Sequence, residues 1–186
     1  MRSMMPLITA VLTGFFATAA GAAPPAAEPG PNPFARGERT AQVYFTGTPM
    51  EDEQTQYDLQ AGAGYFFEDD WSINLTGLVG WVDPERDDDS AVVGLDLLFR
   101  YHFFRCGRIS LYADGGAGFQ YAGTDFPSDS HHNFRPQVGV GATLRLNDDA
   151  WLMGGARYLH ISNANTSEVN DGFDAAMPYV GLMWSF

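Results

Sequence analysis

The stretch Ala91-Val-Val-Gly-Leu-Asp-Leu-Leu-Phe-Arg-Tyr-His-Phe-Phe104 decides the fold. Its odd positions, Ala91, Val93, Leu95, Leu97, Phe99, Tyr101 and Phe103, are apolar, while Gly94, Asp96, Arg100 and His102 fall on even ones. A helix would scatter those charges around its girth. An extended chain gathers them on one side, because successive side chains point to opposite faces. The stretch therefore predicts a long, half-buried β-strand.

The same alternation recurs on both sides of it. Tyr57, Leu59, Ala61, Ala63 and Tyr65 oppose Gln56, Asp58, Gln60 and Gly62, and Trp71, Ile73, Leu75, Val79 and Trp81 oppose Ser72, Asn74 and Thr76. Downstream, Ile109, Leu111, Ala113, Ala117, Phe119 and Tyr121 oppose Arg108, Ser110, Asp114 and Gln120. Phe134, Val138, Val140, Ala142, Leu144 and Leu146 oppose Arg135, Gln137, Thr143 and Arg145. Weaker segments at about 40–47, 150–162 and 173–186 complete eight strands. FEDDW, FRCGR and LNDDA read as tight turns, whereas the stretches near 48–54, 83–90, 123–132 and 163–172 are longer and polar. Short turns on one rim and long loops on the other predict an all-β, eight-stranded, antiparallel up-and-down transmembrane β-barrel.

The apolar set carries aromatics at strand ends, among them Tyr57, Trp71, Trp81, Tyr101, Tyr121 and Trp184, as interfacial girdles require. The opposite set mixes Asp58, Asp96 and Asp114 with Arg100, Arg108, Arg135, Arg145 and Arg157, charges that can pair inside a narrow lumen. A soluble, lipocalin-like barrel would use the same periodicity with the apolar face turned inward. The aromatic ends, the Gly-rich polar face and the export signal argue for lipid outside. So does the terminus, with Val180, Leu182, Trp184 and a final Phe186 on one face, which resembles the terminal recognition strand of bacterial outer-membrane barrels.

Composition agrees. The 186 residues carry 10 cationic and 23 acidic side chains, a net charge of −13, and every cation is Arg. Such an acidic surface excludes nucleic acid as a partner, because phosphate contacts need cationic side chains. One cysteine, Cys106, excludes an intramolecular disulfide and any Cys-based zinc site. Residues 1–22, with Arg2 before an apolar run and small residues around Ala20-Gly21-Ala22, read as a signal peptide for Sec-type export. Residues 23–39 read as a Pro-rich disordered leader and 40–186 as the barrel.

A lipid-facing stripe needs no polar side chains, yet the last two strands carry three. Arg157 in the lumen puts Leu152, Ala156, Tyr158, His160 and Ser162 outside, and Phe186 outside carries the same parity back to Ala176 and Asp174. Residues two apart on a strand lie about 6.6 Å apart on one face, and facing positions bring Cβ atoms within about 4.5–5.5 Å. Ser beside His with a carboxylate to orient it is the serine-hydrolase arrangement, though three interfacial polar groups beside a loop would look the same.

The segment RYLHISNANTSEVNDGFDAA, 157–176, resembles the active-site region of the PagL-type lipid A 3-O-deacylases of outer membranes. Arg157, His160, Ser162, Asn163, Ala164, Asn170-Asp171-Gly172 and the carboxylate two residues later carry the likeness. The resemblance implies His160 as general base, Ser162 as nucleophile and Asp174 as the residue that orients His160, with Asn163 and Ala164 serving the oxyanion and substrate. It implies no metal and no cofactor. It implies an outer-membrane enzyme whose site lies near the extracellular leaflet, with lipid A or lipopolysaccharide as substrate and membrane lipids as neighbours, and it leaves a homodimer open. Two departures stand out: Asp174 where the family usually has Glu, and Asn165 where it often has Gly.

Two other readings stay open on sequence: a non-enzymatic small barrel for adhesion or envelope stability, and a phospholipase using the same Ser/His pair. Adjacent His131 and His132 point opposite ways on an extended chain and read as loop residues rather than metal ligands. His102 reads as part of the polar core near Asp96 and Arg100. The acidic runs Glu51-Asp52-Glu53 and Asp87-Asp88-Asp89 read as solvated loop charge, with divalent cation binding the alternative.

Overall fold

The computed structural model describes residues 32–49, 55–83, 90–126, 130–169 and 172–186. The expected signal peptide, most of the leader, both acidic runs and Asn170-Asp171 lie outside these residues.

Alternation dictates strands, and strands are what form: β1 Arg39–Pro49, β2 Thr55–Glu68, β3 Trp71–Asp83, β4 Ser90–Cys106, β5 Ile109–Ala122, β6 His132–Phe134, β7 Gln137–Arg145, β8 Ala150–Ile161 and β9 Phe173–Ser185. Sequence neighbours pair antiparallel except β6 and β7, and β1 pairs with β9 to close the cylinder. The barrel has eight staves. The sixth is built of two pieces, β6 and β7, both paired to β5 and separated by Arg135-Pro136, because a proline supplies no N–H to the ladder. This places His132 on a strand, opposite Tyr121, rather than in the loop expected from sequence.

The outer face is mostly apolar. Leu59, Leu75, Val79, Leu95, Phe99, Val138, Val140 and Val180 are all exposed there. Two aromatic clusters edge this belt. Tyr57 packs on Phe45 and Trp81 at the long-loop rim, and Trp71 stacks on Tyr101 at the tight-turn rim with centroids 4.4 Å apart. Strands β1–β5 and β7–β9 run 9 to 17 residues, enough for the roughly 9–11 that a tilted crossing needs.

The interior is layered. At the tight-turn end Phe34, Tyr44, Phe66, Tyr112, Trp151, Met153, Tyr179 and Met183 form one apolar cluster. At the long-loop end Leu78, Val82, Val92, Ala122, Phe126, Leu159, Ile161 and Met177 form another. Between them sit three buried carboxylates and three buried guanidiniums. Asp114 binds Arg100 at 3.0 Å and Arg157 at 2.9 Å, while Arg135 lies 3.5 Å from Asp58 and 3.4 Å from Asp96. Charges balance one for one, and both ends of the polar zone are capped by packed side chains, so the lumen is a core rather than a pore.

Three expectations change here. Residues 32–38 are not loose leader: the segment turns under the barrel, and Phe34 is buried with its ring stacked 3.9 Å from that of His102. The apolar ring finds in the barrel mouth a burial that its Pro-rich surroundings hide. His102 accordingly bonds Ser110 Oγ at 2.7 Å and packs against Phe34 and Phe66, rather than joining Asp96. Arg108 and Arg145 leave the lumen set, because they sit at strand ends and reach rim carbonyls. Arg108 donates to the oxygens of Arg145 and Leu146, and Arg145 donates to Asn147 O and pairs with Asp148.

Candidate active site

Strands β8 and β9 pair with His160 directly opposite Asp174 and Tyr158 opposite Ala176. Directly opposed residues share a face, so the imidazole and carboxylate meet without any long side chain having to bend. The result is a contact of 2.8 Å between His160 Nδ1 and Asp174 Oδ1. A carboxylate only accepts, so Nδ1 carries the proton in this bond and Nε2 is the opposite edge of the ring.

Ser162 follows the end of β8. It bridges to Phe134 of β6, with Phe134 N donating to Ser162 O at 2.8 Å and Ser162 N donating to Phe134 O at 3.2 Å. Phe134 faces outward, so Ser162 faces outward beside it. The residue is nevertheless only 8% exposed. Gly172 explains part of that cover. A Cβ built on it would fall 2.7 Å from His160 Cε1, 3.1 Å from Nε2 and 3.3 Å from Ser162 Cβ. One point in space thus touches that edge of the imidazole and the serine side chain together. A side chain at this position would have to push the imidazole aside.

The turn after Ser162 is held by Asn163. Its Oδ1 accepts from Asn165 N at 2.9 Å, its Nδ2 donates to Val169 O at 2.7 Å, and its carbonyl accepts from both Thr166 N and Thr166 Oγ1. The side chain expected to face an oxyanion is therefore engaged in shaping the loop. Ala164 and Asn165 are left-handed, with φ of 54° and 61°. Asn adopts that region readily, which explains how Asn165 can stand where the resembled family often has Gly. Ala does not, and Ala164 holds about 1–2 kcal/mol of strain in the turn.

One further residue of β8 lies beside this group. Tyr158 stands opposite Ala176, diagonal to Asp174 on the same outer face. Parity alone put Tyr158 on the same face, two residues from His160, and that was the available signal. Arg157, the next residue, points the other way into the Asp114 cluster. Among the described residues no group of three or more His, Cys, Asp or Glu side chains has the arrangement to hold a metal ion.

A search of curated protein sequences returns no match to this chain. Among solved structures, Neisserial surface protein A superposes with a TM-score of 0.63 at 15% identity, over 80% of this chain and 96% of that one. The outer membrane enzyme PagL superposes with a TM-score of 0.61 at 16% identity, over 75% and 97% of the two chains. OprG from Pseudomonas aeruginosa gives 0.53 at 16% identity, over 82% and 97%. At such identities the likeness concerns the fold alone. The family description "Outer membrane protein beta-barrel domain" matches residues 8–186, nearly the whole sequence, and the chain belongs to that family of bacterial outer-membrane barrels.

Proposed function

We propose that the protein is a membrane-embedded serine esterase that removes the ester-linked 3-hydroxyacyl chain from the 3-position of lipid A. The observation that carries this reading is the His160–Asp174 bond on the lipid-facing surface, with the opposite edge of the ring and Ser162 sharing the space beside Gly172. An outward polar triad has no use in holding a barrel together, and its position below the long-loop rim suits an ester at the headgroup–acyl boundary. With the long loops extracellular, the site lies in the outer leaflet, where lipid A resides. The 157–176 resemblance and the fold shared with an outer membrane enzyme support the same reading.

In this mechanism His160 Nε2 takes the proton of Ser162 Oγ as the oxygen attacks the ester carbonyl, and Asp174 holds Nδ1–H in place and steadies the imidazolium. The peptide N–H of Ala164, carried on the turn that Asn163 braces, is the donor assigned to the developing oxyanion. His160 returns the proton to the sugar 3-oxygen as the carbonyl–oxygen bond breaks, leaving the acyl chain on Ser162. Water, deprotonated by the same imidazole, attacks the acyl-enzyme and releases a 3-hydroxy fatty acid.

The test is direct. Wild type and Ser162→Ala are expressed in an outer membrane and the lipid A is compared by mass spectrometry. Loss of one 3-hydroxyacyl group with wild type only is the expected result; unchanged lipid A in both, with folded barrels, rejects the reading. The low exposure of Ser162 and the likeness to a surface protein favour a second reading, a non-enzymatic barrel of the envelope, and that is the outcome such a rejection would support. Release of acyl chains from glycerophospholipid instead would identify a phospholipase.

The close packing at Gly172 gives a further expectation. Gly172→Ala would drive a methyl against the imidazole and displace it by several tenths of an ångström or more. Ester hydrolysis should fall roughly 10²-fold, as for a misplacement of about 1 Å, while gel mobility of the folded barrel stays unchanged. Full activity in this variant would mean that the ring does not work from the position described.

A further inference from the structure

We propose that a groove on the outer face beside Arg39 binds one glycerophospholipid, its phosphate on the guanidinium and an acyl chain along the apolar wall. The proposal is independent of the esterase reading. Arg39 opens β1 near the tight-turn rim and is exposed on the outward side of the strand. It stands opposite Tyr65 of β2, and its carbonyl accepts from Phe186 N at 3.1 Å. These neighbours frame a groove of about 430 Å³, lined among others by Ala63, Tyr65, Leu75, Leu97 and Phe186. Small-ligand sites commonly enclose roughly 300–1,000 Å³. Of the lining side chains only that of Arg39 is charged.

Every other described arginine already has an acceptor. Arg36 reaches Glu68 at 3.9 Å, Arg105 reaches Asp70 at 3.3 Å and Arg145 reaches Asp148 at 2.9 Å. Arg108 holds rim carbonyls, and Arg100, Arg135 and Arg157 hold the interior carboxylates. Among the described residues none supplies a carboxylate or carbonyl to the Arg39 guanidinium. A cation at the edge of the hydrocarbon is costly without a partner, so its acceptor has to come from the membrane. Phosphate fits best, because the planar fork of N–H donors meets two of its oxygens at once. The apolar wall beside the fork suits a chain of the same molecule, so headgroup and chain are recognised together. With the long loops extracellular, this rim lies in the periplasmic leaflet, whose lipid is glycerophospholipid rather than lipid A.

The full-length barrel in maltoside micelles is the material to test, and dioleoyl phosphatidylglycerol added stepwise is the probe. The Arg39 Nε–Hε resonance should shift saturably, and native mass spectrometry should find a single lipid retained. Dioleoylglycerol, which lacks the phosphate, and inorganic phosphate, which lacks the chains, should each leave the resonance in place at the same concentration. Arg39→Gln should weaken lipid retention roughly tenfold or more, the effect of losing one hydrogen-bonded charge pair. Ala63→Phe, which fills the groove from its exposed position on β2, should do the same with the guanidinium intact. Arg36→Gln removes an equal charge from the same mouth and should change nothing. Gel mobility reads folding in every variant.

An equal shift with inorganic phosphate would reduce the site to an anion contact and overturn the proposal. So would equal weakening by Arg36→Gln, which would mean diffuse charge attraction, or full retention in Ala63→Phe, which would leave the groove without a part. A resonance that follows barrel concentration rather than lipid would give this face to a second copy of the chain, and that too would overturn it.

Discussion

An Asp114→Asn barrel is expected to be about 3–5 kcal/mol less stable than the wild type. Asp114 is the shared counter-ion of two buried guanidiniums. Arg100 donates to it through Nε at 3.2 Å and Nη2 at 3.0 Å, and Arg157 through Nε and Nη2, both at 2.9 Å. Four donors converge on two oxygens in a space that excludes solvent. Asn keeps the shape but offers one acceptor oxygen, and it turns N–H donors toward groups that are themselves only donors. Two cations would then face each other with no anion between them. The ring faces nearby do not replace it. Arg100 lies 4.2 Å from the Tyr112 centroid and Arg157 4.3 Å from that of Tyr179, contacts of a kcal/mol or two at most on the usual order-of-magnitude scale. Urea unfolding in micelles, followed by the mobility difference between folded and unfolded barrel, measures the loss. Arg145→Ala is the control. That ion pair reaches an almost fully exposed Asp148 at the rim, and its removal should change stability by no more than about 0.5 kcal/mol. A loss below about 1 kcal/mol for Asp114→Asn would show that the interior charges are hydrated rather than locked together.

The contrast between Asp114 and Arg145 also marks what the amino-acid pattern can carry. Parity assigns a face, and it assigned Asp58, Asp96, Asp114, Arg100, Arg135 and Arg157 to the lumen as the structure has them. Parity does not assign a height. Arg108 and Arg145 share the inward parity yet end at a rim, because a long side chain at a strand terminus reaches the carbonyls of the adjoining turn. Phe34 was illegible for a different reason. No period marks a single aromatic in a Pro-rich segment, and its partner, His102, lies 68 positions downstream. The pairing of His160 with Asp174 was half legible. Both were placed on the outer face, but the register that sets them opposite each other depends on how the intervening loop spends its residues. The same holds for Tyr158, whose diagonal place beside Asp174 follows only once that register is known. Strand count was fully legible, since eight alternating segments survive the break at Pro136 that splits one of them.

For the esterase reading, the largest effect should come from Ser162 and His160, and it should come once. Ser162→Ala removes the nucleophile; His160→Ala removes the base that makes it one. Each is expected to lower kcat by roughly 10⁴–10⁶, and the double variant to lie no lower than the worse single variant. The reason is that an unactivated serine hydroxyl and a base with nothing to activate are equally idle. What remains in all three is the background rate supplied by binding the ester beside Ala164 and excluding bulk water. Asp174→Asn should sit above them, with a loss nearer 10²–10⁴. His160 is oriented partly by its own packing against Gly172, and the amide oxygen of Asn can still accept from Nδ1–H. Hydrolysis of a 3-hydroxyacyl ester in mixed micelles, with lipid A itself as the confirming substrate, reads all four proteins. Independent, multiplying losses at Ser162 and His160 would mean that the two residues do not act on the same proton. The shared surface beside Gly172 would then be an accident of packing, and the barrel's work would have to be sought elsewhere on its surface.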